Sequence, residues 1–123
     1  DWVHAGLVDA DLPPGAFDLV SLHYPALLKT SGQNTERVLL ALVALGGTLL
    51  AVYHADMDAA HCREHGVDPD AFVWPSDVVA ALDETWEVHV DERRPRQVPA
   101  GGDARHNLDF VIRARRRPDP ATA

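Results

Sequence analysis

The chain has 123 residues and a mass of 13.4 kDa, the length of a single domain. Its composition, 46% hydrophobic and 24% charged, is that of a globular protein and excludes collagen-like and low-complexity classes. No apolar run approaches the roughly 20 residues that span a bilayer. No basic residue precedes Lys29, as the start of a secretory leader would require, and the single Cys62 excludes an internal disulfide framework. These features predict a cytoplasmic protein with no membrane partner.

The net charge of −8 divides unevenly. Residues 1–92 hold 16 acidic and 3 basic side chains, whereas residues 93–123 hold 3 acidic and 8 basic ones. An acidic body opposes sequence-independent binding to nucleic acid, which needs Lys and Arg to neutralise several phosphates, so no nucleic-acid partner is expected. Arg113, Arg115, Arg116 and Arg117 read as a solvated strand end that balances the acidic body.

In chain order, Trp2 to Ala5 is a short candidate strand, followed by a turn-rich loop through Pro13, Pro14 and Gly15. Phe17 to His23 is almost continuously apolar and bounded by Gly15 and Pro25, the pattern of a strand covered on both faces. A loop spans Tyr24 to Gly32. Asn34 or Thr35 then caps a helix whose apolar positions Val38, Leu39, Leu42, Val43 and Leu45 keep a helical period, with Gly46-Gly47 as its stop. Thr48 to Tyr53 follows as a second buried strand, which predicts a parallel βαβ unit.

Asp56 or Asp58 caps a short helix ending at Gly66, and Pro75 or Ser76 opens another through Val78, Val79 and Leu82. Trp86, Val88 and Val90 alternate with polar residues as a half-exposed strand. Pro95 to His106 is a connection, and Leu108 to Ala114 is the final strand. With no helix between them, these last two strands are expected to pair antiparallel as a hairpin at the end of the sheet. Trp74 and Trp86 read as anchors of the core or of a lid.

This order resembles the second half of a class I S-adenosylmethionine-dependent methyltransferase. Gly15-Ala16-Phe17-Asp18-Leu19-Val20 looks like the fourth-strand motif of that family, and Ala44-Leu45-Gly46-Gly47-Thr48-Leu49-Leu50 like the segment before its fifth strand. Pro75-Ser76-Asp77-Val78 with Leu82 is similar to the next helix, Trp86-Glu87-Val88 to the sixth strand, and Asp109 to Arg115 to the seventh. The resemblance implies an α/β fold: a partial Rossmann-like methyltransferase sheet of parallel strands closed by an antiparallel C-terminal hairpin, occupying residues 1–117, with 118–123 as a disordered tail. The family's glycine-rich cofactor turn is absent, since no Gly-x-Gly-x-Gly occurs, and Gly6 stands where an adenine-recognising Asp is usual.

Ligands of open α/β sheets bind beyond the carboxyl ends of the strands. The residues at those ends are Ser21, Leu22, His23 and Tyr24 after one strand and His54 and Asp56 after the next. His23 and Tyr24 are the candidate catalytic residues: His23 as a general base, because an unperturbed imidazole titrates near neutrality, and Tyr24 to stack on the substrate or donate a hydrogen bond. The resemblance places S-adenosyl-L-methionine near Gly6, Leu7, Ser21 and Leu22, and a small-molecule methyl acceptor near His54 and Asp56. A second constellation, His54, Asp56, Asp58, His61, Cys62 and His65, carries the His61/His65 spacing of one helical face. It matches no complete metal motif and reads as a surface feature, with Cys62 packing as a small apolar side chain.

The expected function is therefore that of a methyltransferase segment lacking its cofactor half and inactive by itself. It is expected to form a homo-oligomer or to pair with the missing N-terminal half. The alternatives are a noncatalytic methyltransferase-like binding or assembly module and a His-based metal-binding protein.

Overall fold

The computed structural model describes residues 2–55, 59–95 and 108–118; of Ala59 and His61 only the backbone is described. Four strands, β1 (Phe17–His23), β2 (Val43–His54), β3 (Trp86–Pro95) and β4 (Leu108–Arg116), form one sheet in the order β1-β2-β4-β3. Helices α1 (Asn34–Ala41), α2 (Ala59–Glu64) and α3 (Pro75–Ala81) lie in the connections. The expected parallel β1-β2 pair and antiparallel β3-β4 hairpin are both present. The hairpin folds back so that β4, the last strand in sequence, enters the sheet antiparallel to β2, and β3 takes the edge.

The helical period of residues 38–45 suggested a longer α1 than forms. The chain leaves the helix at Ala41, whose carbonyl accepts the Gly15 N–H at 2.7 Å, while Leu42 O accepts from Phe17 N at 3.2 Å. Those carbonyls thus turn to β1 instead of continuing a helical ladder. At the other end Gln33, with φ of 59°, precedes the helix after a 3-10 turn, Ser31–Gln33. Thr30, not Asn34 or Thr35, satisfies a first-turn donor: its Oγ1 accepts the Thr35 N–H at 3.0 Å.

Gly46 and Gly47 sit inside the start of β2. Regular pairing with β1 resumes only at Leu19↔Thr48, beyond an irregular excursion after Val43. Gly46 has φ of 80°, and a Cβ on Gly47 would lie 2.9 Å from Ala44 O and 3.0 Å from Asp18 O, so this crossing of two backbones requires a residue without a side chain.

Residues 2–5 form no strand. No strand edge lies alongside them, and Trp2 and Val3 are exposed, so this segment has neither ladder partners nor burial to hold it extended. Leu7 is its first residue to pack against the core.

The core lies on one face of the sheet, where Leu49, Ala51 and Tyr53 of β2 and Ile112 and Ala114 of β4 meet Leu39 of α1 and Val78 of α3. Trp86 joins this core, whereas Trp74 is half-buried and donates its indole N–H to Pro69 O at 2.6 Å. Cys62 is buried, in keeping with its expected packing role. The β1 strand differs from the two-sided burial expected of it. Val20 and Leu22 pack on the core, but Leu19, Ser21 and His23 on the opposite side are exposed, as is the outer edge of the strand. The 95–106 connection, Asp56, Asp58 and the tail beyond Pro118 fall almost wholly outside the described residues, which resume at Leu108. Among the described residues, no helix is long and apolar enough to cross a membrane.

Candidate functional site

The carboxyl ends of β1 and β2 and the start of β4 meet along one rim, because β4 runs antiparallel to β2 and places Asp109 opposite His54. Tyr24 follows β1 with φ of 51°, an unusual conformation for a bulky residue that costs roughly 1–2 kcal/mol. Its backbone N–H is held by Val52 O at 2.7 Å. From there the side chain crosses the end of β2. Its ring stacks on His54 at a centroid distance of 4.3 Å, and its hydroxyl donates to both carboxylate oxygens of Asp109, at 3.0 and 3.1 Å.

One phenol therefore ties three neighbouring strands together at the rim. Asp109 is 9% exposed, and a carboxylate so buried requires such donors. With its proton directed to Asp109, the Tyr24 oxygen keeps lone pairs that can accept a hydrogen bond from a ligand.

The other sequence-selected residues are dispersed. His23 and Ser21 hydrogen-bond to each other at 2.7 Å on the exposed side of β1, apart from the Tyr24–Asp109 contact. Leu22 turns toward the core. Gly6 lies in an exposed turn, its carbonyl accepting the Asp9 N–H at 3.1 Å, while Leu7 packs inward. His54 is half-buried and joins the rim, and Asp56 lies outside the described residues. Asp109 is the residue that sequence reasoning missed. The only signal for it is its place at the start of the last strand, which becomes informative once that strand is paired against β2.

Beside this rim, on the helix-bearing face, lies a cavity of about 820 Å³. His54 and Ala55 border it from β2 and the residue after it, Phe110 from β4, Arg93 from β3, and Trp74 and Val79 from the α3 region. Among the described residues no group of three His, Cys, Asp or Glu side chains converges as a metal site.

Comparison with known proteins places this geometry in a fold. No protein-family model matches the sequence, and no curated protein matches it either. Among solved structures, the chain is similar to the N-methyltransferase NodS from Bradyrhizobium japonicum WM9, with 20% identity, a TM-score of 0.61 and coverage of 94% of this chain and 59% of that one. It is also similar to a structure concerned with conversion of a disulfide bond into a thioacetal group during echinomycin biosynthesis, with 15% identity, a TM-score of 0.60 and coverage of 96% and 57%. The chain thus has a methyltransferase-like α/β fold and spans less than two thirds of the solved chains it matches.

Proposed function

We propose that this chain is the acceptor-side part of an S-adenosylmethionine-dependent methyltransferase acting on a small-molecule acceptor, with the cofactor-binding part lying outside these residues. The observation that carries the reading is the fold shared with NodS over 94% of this chain, ending at an edge strand whose outer side is open. The residues present do not by themselves fit an adenosyl cofactor. Gly6 is in an exposed turn, Ser21 is engaged with His23, and the sequence holds no glycine-rich turn after a strand.

This chain's contribution is then alignment of the acceptor at the rim, the main demand that group transfer between bound partners makes of a protein. In this reading Tyr24, oriented by Asp109, and His54 contact the acceptor, with Asp56 beside them. His23 stands as the candidate base for acceptors that must lose a proton. Ser21, Leu22, Gly6 and Leu7 lie on the cofactor side. The open β1 edge is the site of self-association or of pairing with the remaining half.

Calorimetric titration with S-adenosylmethionine and S-adenosylhomocysteine tests this, using the 123-residue chain and the product of the reading frame extended upstream of Asp1. The shorter chain is expected to give no heat and the longer to bind in the micromolar range. A folded longer product that binds neither compound would overturn the methyltransferase reading in favour of a noncatalytic module. Micromolar binding by the shorter chain would overturn the placement of the cofactor half elsewhere.

A further inference from the structure

We propose that the cavity beside the end of β2 is a binding site for a small aromatic anion, a flat apolar ring carrying a carboxylate. Its volume of about 820 Å³ suits a small organic molecule. The exposed Arg63 on the cavity lining indicates the sign of the ligand. Among the described residues, three of the chain's 11 Lys and Arg side chains, Lys29, Arg63 and Arg93, line the cavity, against two of its 19 acids, Asp70 and Asp91.

Two residues of the cavity wall are fixed by the fold, and a third, Arg63, supplies a positive charge unpaired among the described residues. Asp77 accepts the backbone N–H of Trp74 at 2.8 Å and lies 3.4 Å from the Lys29 ammonium, so one carboxylate fixes both a cation and an aromatic residue of the wall. The Trp74 indole N–H is satisfied by Pro69 O, which leaves the ring to offer apolar surface rather than a hydrogen bond. Val79 and Phe110 extend that apolar surface. The Arg63 guanidinium is exposed and has no hydrogen-bond or ion-pair partner among the described residues, so it is available to a carboxylate.

This site does not depend on methyl transfer; under that reading the bound anion is the acceptor. The test is a titration of the full chain, without cofactor, with 1-naphthoate and with the uncharged 1-naphthalenemethanol, followed by NMR. Naphthoate is expected to bind about tenfold more tightly or better, the advantage of a charge-assisted hydrogen bond. Arg63→Gln, an exposed change that leaves the core untouched, should remove most of that advantage and leave naphthalenemethanol binding unaltered. Ala80→Trp, which adds a large ring at an exposed residue of the cavity lining, should weaken both compounds in a protein of unchanged circular dichroism. Equal affinity for the two probes, unchanged naphthoate binding in Arg63→Gln, or no binding at millimolar concentration would overturn the proposal. Failure of S-adenosylmethionine to bind leaves each of these outcomes readable.

Discussion

The two faces of the central strands differ more than their sequences do. Along β2, Leu49, Ala51 and Tyr53 point to the helices α1 and α3 and are almost fully buried, whereas Leu50, Val52 and His54 alternate with them and are only half-buried. The face shared by Leu50 and Val52 continues to Val111 of β4 on one side and to the exposed Leu19 of β1 on the other. An alternating strand with one polar face would be at rest there. Here the half-covered face carries an apolar strip, Leu19, Leu50, Val52 and Val111, set among Ser21, His23 and Arg113, and such a strip suits a sheet with helices on both sides. The difference separates the face this chain covers itself from the face on which the proposed association would act.

The largest expected effect contrasts adjacent residues across that divide. Leu49→Ala opens a cavity in the covered core and should destabilise the chain by about 2–5 kcal/mol in denaturant unfolding. Leu50→Ser, one residue away on the other face, should cost the isolated chain less than about 1 kcal/mol. Size-exclusion chromatography with light scattering sharpens the contrast. The parent chain should self-associate at micromolar concentration, and Leu50→Ser with Leu19→Lys should shift it toward monomer. A cooperatively folded, strictly monomeric parent would break the comparison by showing that the open face needs no cover.

Much of this organisation is legible in the sequence, and the failures have physical causes. The β1, β2 and hairpin strands are visible because each carries an apolar run or alternation bounded by Gly or Pro. The apolar run of β1 indicates a strand buried on both sides, but a residue's hydrophobicity records the surroundings it suits and not whether they are present. The same gap explains Trp2 to Ala5, which reads as a strand and finds no edge to join. The early end of α1 is set by carbonyls drawn to Gly15 and Phe17, contacts too distant for local periodicity to report. At the rim, Tyr24 and His54 follow from the rule that ligands gather at strand ends. Their partner Asp109 lies 85 residues from Tyr24 and becomes visible only after the last strand is inserted beside β2.

A second, smaller effect probes the covered face through pH. Burial, reinforced by the negative charges of Asp77 and Glu36, pushes the Tyr53 phenol from 10.0 up to about 12. The unfolded chain therefore ionises this group first. Stability should be complete below pH 10 and fall as pH rises toward 12, by roughly 2–3 kcal/mol for this group. Tyr53→Phe should flatten that alkaline decline. An equally steep decline in the variant would show that the covered face is wetter than its burial indicates.

The smallest effect lies at the rim, where the two faces meet. Tyr24→Phe keeps the ring and its stacking on His54 but removes the hydroxyl that donates to Asp109, so a loss of about 1 kcal/mol is expected. Tyr24→Gly relieves the left-handed backbone, worth about 1 kcal/mol, yet also removes the ring that spans β2. If the phenol acts mainly as a clasp, Tyr24→Gly should be the less stable of the two variants despite its relaxed backbone. If it were the more stable, the strained conformation would be a cost that the clasp does not offset. Ligand contact would then be the better account of why a tyrosine occupies this position, and thermal unfolding of the two variants side by side separates these cases.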